Sequence, residues 1–197
     1  MIIGITGGSG CGKTTLLELI RRHGGLVLDC DKIYHRLLET DQSMLRAICD
    51  RFPQAVENGQ LQRKNLGAIV FEDKAALSDL NQITHSAVKK EVLSKLSASP
   101  ALAAIDAIGL FESGLDALCD VTVAVTAPEQ MRIARLMARD QISEDYARAR
   151  IRAQRPQEEF QALCQYTLYN DGAMDAFEKK CIAFLADLGI LNTPTIL

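Results

Sequence analysis

The chain has 197 residues, 24% of them charged and 48% hydrophobic, with a formal net charge of -3. That is enough for one well-buried core, and too even a charge balance to draw the protein toward nucleic acid or an anionic membrane. Its apolar runs are short and the first lacks a charged leader and a cleavage site, so neither signal peptide nor membrane span is expected and the expected location is the cytoplasm. Six cysteines, at Cys11, Cys30, Cys49, Cys119, Cys164 and Cys181, include no C-x-x-C pair and no histidine at metal-ligand spacing; they read as reduced, packed thiols.

In chain order, the first element is a short apolar strand that runs from Met1 into a glycine-rich loop. Gly7 and Gly12 stand at the ends of a G-x-x-x-x-G-K-[ST] pattern that Lys13 and Thr14 complete, and Leu16, Leu17, Leu19 and Ile20 write the following helix. Glycine lets the backbone curl with its N–H groups inward, and these with the helix N-terminus offer partial positive charge to a phosphate. Gly8, Gly10, Cys11, Gly12, Lys13, Thr14 and Thr15 are therefore the candidate ATP-binding residues. Lys13 suits the β- and γ-phosphates and the Thr14 hydroxyl suits Mg²⁺. Cys11, at a helix N-terminus, would have its thiolate favoured; a small packed residue at a variable loop position is the preferred alternative.

After the break at His23-Gly24-Gly25, a second strand over Leu26–Leu28 ends in Asp29-Cys30-Asp31. The stretch from Asp31 to Leu102 is helical and amphipathic, with turns at Phe52-Pro53 and Asn58-Gly59, and it exceeds what a crossover needs; it reads as a helical insert able to hold a second substrate. Further strands are expected at Leu102–Ile108, leading to Leu110-Phe111-Glu112, at Val121–Val125 and at Thr167–Tyr169. Strands alternating with helices imply a parallel sheet wrapped by helices, with the ligand beyond the strand carboxyl ends, where the loop, Asp29, Asp31 and Glu112 fall. A helix over Ala173–Leu188 should pack on the sheet, with Asn192–Leu197 as a loose tail.

Arginines concentrate between the last two strands. Arg132, Arg135 and Arg139 share one helical face, as do Arg148, Arg152 and Arg155, and Asp140–Ser143 separates the two groups with Ser143 as N-cap. A hinged pair of basic helices can close over a triphosphate. For any one arginine the alternative is a solvated face paired with Glu144, Asp145, Glu158 and Glu159.

Phosphoryl transfer needs a nucleotide cradle, a metal, a group that takes the acceptor proton and positive charge around the transferring group. Asp31 is the candidate base, with an N-cap role at a helix beginning near Lys32 as its structural alternative. Asp29 is a helper, and Asp106 is a candidate to hold Mg²⁺ through water. Asp106-Ala-Ile-Gly109 also spells D-x-x-G, but no guanine-specificity element follows it. A nucleotide-switched binding protein would have no need of a hydroxyl base.

The ordered series of motifs resembles the dephospho-CoA kinase family. It comprises the loop; Asp29-x-Asp31; Leu61-Gln-Arg63 with Leu66, Ile69 and Phe71; Leu80-Asn-Gln-Ile-Thr-His85; Leu110-Phe-Glu112; the Arg135 and Arg139 spacing; Arg150-x-x-x-Gln154; and Asn170 before Gly172. The resemblance implies transfer of the ATP γ-phosphoryl group to the ribose 3′-hydroxyl of dephospho-CoA, the last step of coenzyme A synthesis, with ATP and Mg²⁺. On this basis Asp31, Lys13, Arg135 and Arg139 are the catalytic group. Asp29, Arg63, Asn81, His85 and Glu112 face the acceptor, and Thr14 binds the metal. The sequence departs from the family at Ser86 after His85, at Ile108-Gly109, and at Cys164-Gln165; the first two border the expected acceptor pocket. Another small-molecule kinase of the same architecture, acting on a nucleoside, nucleotide or sugar acid, is the alternative.

The expectation is thus an α/β P-loop kinase with a parallel five-stranded sheet flanked by helices. One domain spans 1–197: a core of 1–31, 100–130 and 160–197, an acceptor-binding helical insert over 32–99, and a helical lid over 131–159. Its partners are small molecules, with no nucleic acid or membrane, and a monomer is favoured.

Overall fold

The computed structural model describes residues 1–191, so the tail expected at Asn192–Leu197 lies outside them. In chain order the elements are β1 (Ile2–Thr6), α1 (Lys13–Arg22), β2 (Leu26–Asp29), α2 (Cys30–Thr40), α3 (Gln42–Arg51), β3 (Val56–Glu57), β4 (Gln60–Leu61), α4 (Arg63–Glu72), α5 (Lys74–Leu96), β5 (Ala103–Asp106), β6 (Val121–Thr126), α6 (Glu129–Asp140), α7 (Glu144–Arg152), α8 (Gln157–Leu163), β7 (Tyr166–Tyr169) and α9 (Met174–Asp187). Among the described residues no helix is long and apolar enough to cross a membrane. The chain forms two compact units, one of Met1–Leu28 with the chain from Pro100 onward, the other of Asp29–Ser99.

The first unit is built on a parallel five-stranded sheet in the order β2-β5-β1-β6-β7. β1 is central, with Ile3 opposite Ala104 of β5 on one side and Val121 of β6 on the other. A central parallel strand is covered on both faces, which is why its sequence is apolar at successive positions and why Ile3 and Ile5 are fully buried. α1 and α9 pack together, and Leu16, Leu19 and Ile20 meet Phe177, Cys181, Phe184 and Leu185 in one core with the β1 and β6 side chains. α1 stops where the sequence breaks: Gly24, at φ 77°, donates to Arg21 O, and Gly25 donates to Ile20 O over 2.9 Å. This is the paired closure that satisfies the last carbonyls of a helix.

In the second unit α2, α3 and α4 each pack on the 23-residue α5. Its buried residues Ala76, Leu80, Thr84, Val88 and Val92 recur every fourth position and so form one stripe. Thr84 sits in that stripe because its hydroxyl donates to Leu80 O over 2.9 Å. The helical insert also carries a feature that the sequence reading lacked, the antiparallel β3–β4 pair. Asn58 and Gly59, at φ 51° and 75°, form the two-residue turn between them, a conformation Asn-Gly favours.

Candidate active site

β1 ends against the loop of Gly7 to Gly12, and α1 starts at Lys13. Gly12 caps α1 in the left-handed region at φ 97°, where a Cβ would collide with the Asn170 amide. Among the described residues no side chain caps the first turn of α1 and no acidic residue lies in it, which leaves this helix N-terminus open to an anion.

The loop is held from outside by side chains that take its carbonyls. Ser9 O accepts from Arg132 Nε over 3.0 Å, Gly10 O accepts from Arg135 Nη1 over 3.1 Å, and Cys11 O accepts from Asn170 Nδ2 over 2.9 Å. A peptide whose carbonyl is tied to one side must turn the following N–H the other way, so these three ties direct the N–H groups of Gly10, Cys11 and Gly12 away from the side chains that hold the loop, Cys11 N donating to Gly8 O over 3.3 Å. Gln154 adds a second hold on Ser9, accepting from its backbone N over 2.9 Å and donating to Oγ over 2.6 Å. Arg135 also donates to Asn170 Oδ1 over 3.1 Å, linking α6 to the residue after β7.

Lys13 Nζ donates to Gly7 O over 2.8 Å and lies 3.9 Å from Asp106 Oδ1, a solvent-shielded atom at the end of β5. Thr14 is exposed in the first turn of α1, and Thr15 N donates to Gly12 O over 3.1 Å. The Cys11 thiol is fully buried, with its Sγ 3.7 Å from Gln157 Oε1. Burial pushes its pKa up in spite of Arg132 and Lys13 nearby, so the thiolate is disfavoured and the small packed residue preferred above is the better description. Packing decides this residue. Among the described residues no cysteine is in a disulfide.

The arginine-rich segment divides into three kinds of contact. Arg132 and Arg135 touch the loop, as above. Arg139 is paired instead with its neighbour: Asp140 accepts from its Nε over 2.7 Å and Nη2 over 2.9 Å, and from Arg150 Nη1 over 2.6 Å. The two guanidiniums hold the Asp140 carboxyl well below the usual carboxylate range. Arg148 and Arg155 form ion pairs, Arg148 with Glu129 and Glu144, Arg155 with Glu112 and Glu159. Arg155 is not on the face with Arg148 and Arg152, because α7 ends at Arg152 and Pro156 sets the start of α8. Ser143 does cap α7, accepting from Tyr146 N. Behind the arginines, Ile133 and Leu136 of α6 pack on Ala147 and Ile151 of α7.

The remaining candidates lie in the second unit, apart from Glu112. Asp29, not Asp31, caps α2: its Oδ1 accepts from Lys32 N over 3.0 Å and its Oδ2 pairs with Lys32 Nζ at 3.1 Å. The helix begins at Cys30, two residues earlier than the Lys32 start considered above, which leaves Asp31 exposed in the first turn. Arg63 opens α4, with Nη2 3.9 Å from Glu39 Oε1. It also lies close enough to Tyr34 to lower a phenol pKa that burial raises. With Leu38, Leu45, Arg46, Cys49 and Leu61 it lines a concavity of about 460 Å³. Asn81 and His85 are four residues apart on α5, hence on one face. The sequence reading assigned no site role to Arg132, Gln154, Asn170 or Gln157. Arg132 stood in the arginine series and Gln154 and Asn170 in the family motifs, but only three-dimensional contact reveals that they grip the loop.

Comparison with known proteins identifies the family. The family model for dephospho-CoA kinase matches residues 1–176. A dephospho-CoA kinase of Lactobacillus johnsonii is 34% identical over 193 residues, covering 95% of this chain and 98% of that protein. A crystal structure from Thermus thermophilus superposes with a TM-score of 0.80 at 36% identity, covering 95% of this chain and 97% of that one. A shikimate kinase from Bacteroides thetaiotaomicron reaches a TM-score of 0.55 at 17% identity over 97% of this chain and 99% of that one, a likeness of fold alone. A family match spanning the loop, both units and the arginine-bearing helices leaves one conclusion: the chain belongs to the dephospho-CoA kinase family.

Proposed function

We propose that the protein transfers the γ-phosphoryl group of ATP to the ribose 3′-hydroxyl of dephospho-CoA, yielding coenzyme A and ADP. The observation that carries this is the loop with its carbonyls tied outward and an uncapped helix behind it, in a chain of this family. In the reaction the 3′-oxygen forms a bond to the γ-phosphorus, the bond from that phosphorus to the bridging oxygen breaks, and the hydroxyl proton passes to Asp31. Asp31 suits the role because Asp29 already caps α2 and leaves the Asp31 carboxylate exposed after a strand end.

Lys13 would exchange its hold on Gly7 O for the β- and γ-phosphates, and Arg135 would add charge beside them. Arg139 would join them by leaving Asp140. Among the described residues no three His, Cys, Asp or Glu side chains gather around a cation. Magnesium fits instead as the family of donors at hand suggests, on the exposed Thr14 hydroxyl and nucleotide oxygens, with Asp106 reached through water. When bound it would neutralise charge on the phosphates. Asp29, Arg63, Asn81, His85 and Glu112 are the proposed acceptor contacts.

The proposal takes the chain as one domain, with 32–99 as acceptor insert and 131–159 as lid, acting as a monomer in the cytoplasm. The net charge of -3 supports small-molecule partners over a polyanion. The test is Asp31→Asn assayed with ATP, Mg²⁺ and dephospho-CoA. Loss of kcat by about 10²–10⁴ with ATP affinity retained is expected; wild-type turnover would remove Asp31 as the base.

A further inference from the structure

Helix α6 reaches the loop twice at one residue. Its backbone at Arg132 lies so near Gly10 that a Cβ there would stand 2.8 Å from Arg132 O. The Arg132 side chain then turns back to Ser9 and Gly8, where a Cβ on Gly8 would collide with Nη2 and sit 3.0 Å from Cζ. The residue is only 3% exposed. Its guanidinium has neutral partners, Ser9 O at 3.0 Å from Nε and Gln154 Oε1 at 3.3 Å from Nη2. Among the described residues no carboxylate comes within 4.0 Å of it.

A buried cation without a counter-ion costs free energy that a nearby anion would return. Helix burial alone does not explain Arg132, since an apolar side chain would fill the same space at less cost. We propose that Arg132 is a positioning residue of the nucleotide site, fixing the Ser9–Gly10 peptide with its carbonyl outward and leaving a positive charge behind the loop whose counter-ion is the triphosphate. The proposal rests on the loop as the ATP site and on nothing about the acceptor. Arg132 acts through Ser9 and through its field, and Gln154 completes the hold by engaging both Ser9 N and Ser9 Oγ.

Arg132→Gln keeps a hydrogen-bonding side chain and removes the charge; Arg132→Lys keeps the charge and loses the fork. For wild type and both variants the measurements are the ligand-free Tm, the Kd for ATP and for inorganic tripolyphosphate, and the KM for each substrate. Arg132→Gln is expected to keep or raise the ligand-free Tm, to weaken both Kd values about tenfold or more, and to leave the acceptor KM in place. Arg132→Lys should recover part of the loss for both ligands. Wild-type Kd values in Arg132→Gln, with or without a fall in Tm, would make Arg132 a packing residue and overturn the proposal.

Gly8→Ala dislodges the guanidinium without removing it and serves as the second variant should Arg132→Gln not fold. It should weaken tripolyphosphate as well as ATP, and unaltered binding there would also overturn the proposal. A wild type that binds ATP but leaves dephospho-CoA unmodified would contradict the proposed reaction while leaving these binding results intact.

Discussion

Asn170 shows how one buried side chain can serve both the fold and the site. It is 4% exposed, donates to Cys11 O, accepts from Arg135, and through its backbone N bonds Thr126 O at 2.8 Å. Asn170→Ala leaves Cys11 O and an Arg135 donor without these partners, so a stability loss of about 1–3 kcal/mol is expected by denaturant titration. The same variant should weaken ATP, because Gly12 N–H is aimed by the peptide whose carbonyl Asn170 holds. Lys13→Ala should act differently, with kcat falling and stability nearly unchanged, since among the described residues Lys13 Nζ has only Gly7 O at 2.8 Å and Asp106 at 3.9 Å to lose. Steady-state kinetics beside thermal unfolding separates the two effects. A Lys13→Ala variant with wild-type kcat would remove the lysine from the transfer step.

At the scale of elements, α9 underpins the loop, for Phe177 is 2% exposed and its ring lies 3.7 Å from where a Gly12 Cβ would stand. Phe177→Ala should cost about 3–5 kcal/mol in urea unfolding, the usual penalty for emptying a packed aromatic site. The turn between α6 and α7 has a charge device of its own. Asp140, its carboxyl lowered by Arg139 and Arg150, contributes stability that is present above its ordinary value of 3.8 and lost as pH falls below it. Asp140→Asn should therefore flatten the acid limb of the stability profile below about pH 4. The same elements show what a sequence discloses. The loop, the strands with their apolar runs, the break at Gly24-Gly25 and the Ser143 cap are local signals, each written by residues that are neighbours in the chain. The β3–β4 pair was missed because two-residue strands have no periodicity, although Asn58-Gly59 marked their turn. The N-cap role considered as the alternative for Asp31 falls to Asp29 instead, because the two aspartates carry the same chemistry and only the backbone distinguishes them. Arg132, Gln154 and Asn170 meet the loop across separations of more than a hundred residues, where no spacing rule operates.

For the whole molecule, a ligand that binds only the folded state raises its stability. ATP at about 100 times its Kd adds about 2.7 kcal/mol, which for a chain of this size lifts Tm by roughly 5–10 °C. Binding of that kind establishes a nucleotide site without naming the acceptor. The departures at Ser86 and Ile108-Gly109 border the proposed acceptor pocket, and so the reaction is decided by product chemistry. The most direct measurement incubates the protein with ATP, Mg²⁺ and dephospho-CoA and locates the new phosphate by mass spectrometry and phosphorus NMR. A product phosphorylated on the ribose 3′-oxygen, formed with one ADP per turnover and absent with Asp31→Asn, is the predicted result. Unmodified dephospho-CoA beside bound ATP, with phosphate appearing on a nucleoside or sugar acid instead, would contradict it.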